Sequence, residues 1–376
     1  MNEPPSLTSA VKPCAIALRP RIAAAIADAG GWIGFDRFMA LALYTPGLGY
    51  YARESPKFGA MPQSGSDFVT APEMTPLFGQ TVAVQVAEAL ERTATREIWE
   101  FGAGSGALAL QLLGALGEQV DRYTIVDVSG SLRARQQLLL AGHADKLHWA
   151  DALPEAFEGV VVGNEVLDAM PVKLLMRLAG QWHERGVAVE GEAFVWQDQP
   201  TPLRPPVEVE GDHDYLTEIH PQAEAFVQTL GDRLVRGAAL LLDYGFGESE
   251  YYHPQRHMGT VMCHRAHQTD GDPLADVGEK DITAHVNFTG IALAAQEQPL
   301  PAEKAWSVLG YTTQAHFLIN CGLLPKMELQ PQSARALAAK MIMEHEMGEL
   351  FKVLLIAKGE PWEPCGFSQG DRSHRL

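Results

Sequence analysis

An α/β fold built on a parallel, Rossmann-like sheet is predicted by three features of this 376-residue chain. Strand and helix signals alternate from about residue 96 onward, the order that yields right-handed crossovers and a parallel sheet. A glycine-rich turn in "EIWEFGAGSGALALQLL" (97–113) joins an apolar strand to Ala and Leu at helical spacing. Stretches before 96 and around 178–210 break that rhythm, so one dominant domain with additions is expected; 46% hydrophobic content suffices for a large core.

The elements follow in order. Residues 1–17, beginning "MNEPPSLTSAVKPC", have an early acid, prolines and no apolar h-region, and read as a short disordered lead. From Leu18 to Leu43 two helices are expected, broken at Gly30-Gly31, with Asp36 placed to cap the second. "YTPGLGYYARESPKFGAMPQSGSDFVTAPEMTPLFGQ" is too long and too rich in Gly, Pro, Tyr and Phe for an idle linker. Such segments serve more often as lids or binding loops, which makes 18–95 a helical and lid region.

A helix, "TVAVQVAEALERT", leads into the glycine turn at the start of the 96–376 core. "RYTIVDVSG" is a strand ending on Asp127, followed by the helix "SLRARQQLLLAG" and by "LHWADALPE". In "GVVVGNEVLDAMPV" an apolar run stops at Gly163 and Asn164. "QWHERGVAVEGEAFVWQD" reads as short antiparallel strands and "QPTPLRPPVEV" as a proline-rich connection, an insertion spanning about 178–210. "GAALLLDYGF" restores a buried strand ending on Asp243, and "ELFKVLLIAKG" supplies the last one. The methionines of "MEHEMGEL" are expected to pack a core.

Lys and Arg number 29 against 47 Asp and Glu, a formal charge of -18. That surface repels phosphate backbones and anionic membranes, which argues against a nucleic-acid partner. No apolar run reaches the roughly 18 residues of a membrane span. Cys14, Cys263, Cys321 and Cys365 form no C-x-x-C pair, so a reducing compartment is expected, the cytoplasm by default. The oligomeric state stays open, a homodimer included.

Two ligand classes compete for the turn. Gly102, Gly104 and Gly106 let a backbone approach a nucleotide-like ligand, but Gly102-x-Gly104-x-x-Ala107 also fits the dinucleotide fingerprint. Glu100 weighs between them: a carboxylate beside the bend favours the sulfonium and ammonium of S-adenosylmethionine (SAM) over an anionic pyrophosphate. Asp127 lies about twenty residues past the glycines, where a carboxylate commonly meets ribose hydroxyls. Asp151 and Ala152 end the next strand beside the expected adenine position, although Asp151 reads equally as a helix cap.

"GNEVLDAMPV" places Asn164 and Glu165 at a strand end facing the methyl donor, with Asp168 three residues on. One helical turn would set both carboxylates on one face, a match for the planar donor fork of a guanidinium. Alternatively, Asn164 and Asp168 cap and brace a helix ahead of Pro171. His264, His267, Asp281 and His285 follow no standard zinc spacing, so no metal is expected. Neither G-x-x-x-x-G-K-[ST] nor G-x-S-x-G occurs.

Several stretches, in order from about Gly49 to Leu354, resemble the MidA family of class I SAM-dependent methyltransferases. They include "GYYARESPKFGAMPQSGSDFVTAPEMTPLFG", "EFGAGSGALA", "VDVSGSLRARQ", "GNEVLDAMPV", "LLLDYGF" and "HRAHQTDGDPLADVGEKDITAHVNFTGIA". The resemblance implies a seven-stranded class I methyltransferase sheet and SAM as cofactor. Glu100 and Gly102, Gly104 and Gly106 would hold its methionine end, and Asp127 its ribose. It further implies that Tyr50, Tyr51, Asp67, Phe68, Thr70, Pro72 and Glu73 cover the cofactor or shape an acceptor channel. Asp281, Thr283 and His285 would stand on the substrate side. Asn287 occupies a position where the family more often has Asp. Mitochondrial relatives dimethylate an arginine of a respiratory complex I subunit, which implies an arginine-bearing protein partner. A nicotinamide oxidoreductase and a non-catalytic SAM-binding assembly factor are the alternatives at this stage.

Overall fold

Apolar periodicity accounts for most elements of the computed structural model, which describes residues 13–53, 70–127, 130–265, 268–296 and 306–376. The N-terminal region contains α1 (Pro13–Asp28), β1 (Trp32–Gly34), α2 (Phe35–Tyr44), α3 (Ala71–Met74) and α4 (Leu77–Thr93). Then come β2 (Glu97–Phe101), α5 (Ala107–Leu116), β3 (Arg122–Val126), α6 (Gly130–Leu139), β4 (Leu147–Ala150) and β5 (Phe157–Asn164). β6 (Lys173–Leu178), β7 (Gln181–Glu190), β8 (Ala193–Pro200) and β9 (Tyr215–Ile219) interrupt the alternation. It resumes with α7 (Pro221–Arg233), β10 (Leu234–Phe246) and α8 (Glu248–Tyr251). Short strands β11 (Met262–Arg265), β12 (Gln268–Asp270), β13 (Asp281–Thr283) and β14 (Val286–Asn287) precede α9 (Phe288–Gln296). The chain closes with β15 (Trp306–Thr313), α10 (Gln314–Asn320), α11 (Leu323–Glu328), α12 (Gln332–Lys340) and β16 (Phe351–Lys358).

Seven strands lie side by side in the order β15-β16-β10-β5-β2-β3-β4, and the two-residue β14 joins β10 as an eighth. β10, β5, β2, β3 and β4 are mutually parallel, whereas β16 runs antiparallel to both its neighbours. From β2 the chain winds outward to β3 and β4, then returns to β5 on β2's other side. This reversal opens a crevice at the carboxyl ends of β2 and β5, where open α/β sheets take ligands. One apolar layer packs α4, α5 and α10 on one face, and a second packs α7 and α9 on the other.

The insertion is larger than its sequence signal. β6, β7, β8 and β9 form an antiparallel sheet over 173–219, which also recruits β1 from the N-terminal region. Two-residue turns, Ala179-Gly180 and Gly191-Glu192, connect β6 to β7 and β7 to β8. α1 and α2 pack on this sheet: Ile22, Phe35 and Phe38 share an apolar cluster with Leu174, Val187 and Phe194.

Local expectations change in four places. Residues 13–17 of the expected disordered lead already belong to α1, and 1–12 lie outside the described residues. Asp36 does not cap α2: Gly34 holds that position, and Asp36, inside the first turn, sits 3.0 Å from Lys173 of the inserted sheet. β1 runs straight into α2 at Phe35, a helix start two residues too early for Asp36 to cap. Asp243 does not end its strand, because β10 continues through Phe246 alongside β14. Met343 is exposed on a tight turn rather than in a core, while Met347 packs against the α4 layer.

Candidate active site

All three turn glycines have left-handed backbone, with φ of 62° at Gly102, 53° at Gly104 and 89° at Gly106, a region that other residues enter at an energetic cost. Gly106 sits behind the bend, where an added Cβ would stand 3.4 Å from both Gln136 and Leu140. Gln136 was not foreseen as a site residue. Fully buried, its Nε2 donates to Gly104 O at 2.9 Å and Asp127 Oδ2 at 3.2 Å, and its Oε1 accepts from Trp149 Nε1 at 2.9 Å. One amide thus ties the bend, the ribose-side acid and the end of β4 together. Its signal was a polar residue at i+4 between Leu132 and Leu140 on the buried stripe of α6.

A cavity of about 270 Å³ opens over the crevice. Glu100, Gly102, Gly104, Asp127, Asn164 and Glu165 line its sheet side, and Tyr44, Tyr51, Thr70, Pro72 and Glu73 close it from the N-terminal region. No described lining residue is Lys, Arg or His. Glu100 is buried and accepts the Tyr123 hydroxyl at 2.8 Å; burial outweighs that bond and pushes its carboxyl up to about 8. The Ser105 hydroxyl donates to Glu73, and Gln111 Nε2 donates to Pro72 O at 2.8 Å, so the end of the lid segment is fastened to the bend and to α5.

Not every expected residue joins the cavity wall. Gly106 acts from behind the bend, and Tyr50 is buried in the α1/α2 cluster, edge-on to Tyr51 at 5.0 Å. The Asp151 side chain is 88% exposed, 3.5 Å from Arg133, and Ala152 is exposed beside it. Asp67, Phe68 and His267 lie outside the described residues.

A second cleft of about 640 Å³ meets the first at Tyr51 and Glu165. Asp168, Tyr244, Asp281, Thr283 and His285 line it. The expected helical turn over Glu165–Asp168 does not form. Glu165 adopts φ 53°, and Asp243 Oδ2 accepts the amides of Val166, Leu167 and Asp168 at 3.1, 2.9 and 3.2 Å, so a non-helical turn is held from the neighbouring strand. Both carboxylates still reach the same cleft.

Asn164 Nδ2 donates to Glu165 Oε1 at 3.1 Å; burial first, then the Asp168 charge, pushes Glu165 up to about 8. Asp168, pushed up to about 6 by burial, accepts the Tyr244 hydroxyl on Oδ2 at 2.5 Å, while its buried Oδ1 has no partner among the described residues. Opposite, both Asp281 oxygens accept the Tyr51 hydroxyl at 2.8 Å, and Tyr44 stacks on Tyr51 at 5.6 Å. His285 is pushed down to about 4 by burial and, less, by Arg256 and Lys352, which keeps it neutral. Asn287 accepts the Gly290 amide at 3.3 Å at the start of α9, a bond that requires no charge.

A sheet that reverses at β2 and β5, with a cavity over the reversal whose described lining is acidic, is the Rossmann-like arrangement and suits a cationic ligand better than a pyrophosphate. The profile of a family of S-adenosyl-L-methionine-dependent methyltransferases matches residues 81–305, well over half of the chain, and the chain belongs to that family. A Burkholderia thailandensis protein crystallised with S-adenosyl-homocysteine is 46% identical, superposes with a TM-score of 0.92 and is covered, like this chain, over 100% of its length. The mitochondrial protein arginine methyltransferase NDUFAF7 of Danio rerio is 27% identical over 85% of this chain and 80% of its own. Its Caenorhabditis elegans homologue is 26% identical over 78% and 74%, respectively. The cofactor is therefore SAM. The lining fits it: carboxylates suit its positive charges and ribose hydroxyls, and the left-handed glycines leave room for its backbone-side contacts. No described helix is long and apolar enough to cross a membrane.

Proposed function

We propose that this enzyme methylates the guanidinium of an arginine in a protein partner. The junction between the two clefts carries the reading, because Glu165 belongs to both and Asp168 and Asp281 stand on the acceptor side. Carboxylates converging on one point suit a planar fork of donors. The relatives named arginine methyltransferases support the same acceptor. When bound, SAM supplies an electrophilic methyl group on a sulfonium.

The chain's own residues then hold the acceptor in line and dry. Glu165, oriented by Asn164, takes the guanidinium N–H groups and gives up its proton as that cation arrives. Asp168, ionised at neutral pH, offers its unpaired Oδ1 and accepts the proton that leaves the methylated nitrogen. Glu100 with Gly102, Gly104 and Gly106 forms the methionine-end site, and Asp127 binds the ribose. Asp151 and Ala152 flank the adenine end from outside the described wall. Tyr51, Thr70 and Glu73 exclude water, and His285 shapes the acceptor wall. A respiratory-complex subunit is the partner class we favour, by the family resemblance. The free thiols of Cys263, Cys321 and Cys365 suit a cytoplasmic setting.

Incubation with methyl-labelled SAM and cell extract, followed by hydrolysis, is expected to place the label in methylarginine. Glu165→Gln should lower the rate by roughly a hundredfold and leave the thermal shift with S-adenosyl-homocysteine intact. Label in lysine, glutamine or a small metabolite overturns the arginine assignment, and an unimpaired variant overturns the role of Glu165.

A further inference from the structure

One wall of the acceptor cleft is the segment from His253 to Met262 after α8. It hangs on the inserted sheet. Leu216 of β9 forms a parallel bridge with Met258, and its amide donates to His257 O at 2.9 Å. Two residues further along, the fully buried Glu218 accepts Thr260 N at 2.6 Å and Val261 N at 3.2 Å on Oε1, and the Tyr251 hydroxyl at 2.8 Å on Oε2. A buried carboxylate so fully engaged fixes whatever it holds. Thr260 Oγ1 in turn accepts the His285 amide at 3.0 Å, which joins the wall to the cleft's far side.

This wall shows two methionines to solvent, next to the exposed His253, Gln255 and His257. Met258 is 78% exposed and Met262 40%, at the mouth of a cleft with acids in its floor. Both line the cleft, where they can cover apolar groups of a bound chain, and methionine's unbranched thioether adapts to varied partners. Arg256, in the same wall, is turned toward Glu250 at 3.2 Å and stands with its guanidinium 3.8 Å from the Phe246 ring centre, so its charge is partly offset.

We infer that the 253–262 wall is the docking surface for a polypeptide acceptor whose arginine is flanked by apolar residues, with Glu218 as the positioning residue of that wall. The inference rests on the arginine reading above. The floor acids Asp168 and Asp281 complement the arginine, and Met258 and Met262 lie where its neighbours must pass. A free amine would leave those methionines unused.

Two synthetic ten-residue peptides with a central Leu-Arg-Leu or Ser-Arg-Ser serve as probes, with binding read by fluorescence anisotropy and transfer by methyl label. The Leu-flanked peptide is expected to bind about tenfold tighter, and the double variant Met258→Ser/Met262→Ser to lose that preference with the S-adenosyl-homocysteine thermal shift unchanged. Glu218→Ala should raise KM about tenfold with kcat nearly constant, and Glu218→Gln, which keeps an oxygen for Thr260 and Val261, should restore most of it. Equal binding of the two peptides, or an undiminished preference in the methionine variant, overturns the docking surface. Preferential binding without label on arginine overturns the arginine reading and keeps the surface; labelled arginine without preference does the reverse. Should Glu218→Ala fail to fold, the methionine variant decides.

Discussion

Glu100, which the sequence argument assigns to the cofactor, lies in the cavity wall in a state that argument does not expect. Sequence reasoning takes a standing negative charge beside the bend, but burial pushes this carboxyl up to about 8, so near neutrality it is mostly protonated before a ligand arrives. A cation entering the cavity favours the carboxylate, and the proton must then leave. Binding of S-adenosyl-homocysteine, which retains the ammonium, should therefore release protons below pH 8 and tighten as pH rises toward 8. Calorimetry in buffers of different ionisation enthalpy checks this, with Glu100→Gln expected to bind more weakly and to lose part of the release; release unchanged in the variant would place the proton elsewhere. Glu100, Gly102 and Gly104 could be read because they share one short strand and bend, and Asp127 because it follows the next strand, β3, beyond α5. Tyr51 and Asp281, 230 residues apart, meet only through the tertiary fold.

The turn after β5 shows how one element can overrule local spacing. Glu165 and Asp168 stand at helical spacing, yet a helix is not formed, because Asp243 from β10 takes three consecutive amides of the segment and Glu165 is left-handed. Nothing within "GNEVLDAMPV" announces a partner about 75 residues downstream. β1 was missed for a different reason: three residues, "WIG", are too few for a period-2 signal, and the strand exists because β7 offers it an edge. The crossovers through α5 and α6, by contrast, were readable, since strand and helix each carry their own period; β4 passes to β5 without a helix. Asp243→Ala should leave the Val166, Leu167 and Asp168 amides, the last two buried, without their acceptor and destabilise the fold by about 3 kcal/mol. Asp243→Asn, with one acceptor oxygen retained, should cost less and still impair methyl transfer. Denaturant unfolding measures the first effect and the label assay the second; equal stability of Ala and Asn variants would show that the amides find other partners.

Across the whole molecule, the acid surplus was plain in the composition, but its burial was not. Glu100 and Glu165 are pushed up to about 8 and Asp168 to about 6, all chiefly by burial, in two clefts that meet. In the unfolded chain such glutamates ionise near about 4.3. Between that value and 8 the folded state binds more protons than the unfolded one, so these groups lower stability progressively as pH rises, and the loss is complete above 8. Below about 4 both states are protonated and the penalty is absent. A site built to receive a cation thus holds its acids at a cost that only the cation relieves. Glu165→Gln removes one such group, so its melting temperature should exceed that of the native chain by more at pH 8.5 than at pH 5, the difference amounting to about 2 °C or more. Saturating an arginine-containing acceptor should narrow the gap at pH 8.5, because the guanidinium compensates the Glu165 charge in the native chain and has no charge to meet in the variant. An increment identical at both pH values would mean that Glu165 titrates normally in the folded protein, and the junction would then lack the pent-up acidity on which the proposed guanidinium binding depends.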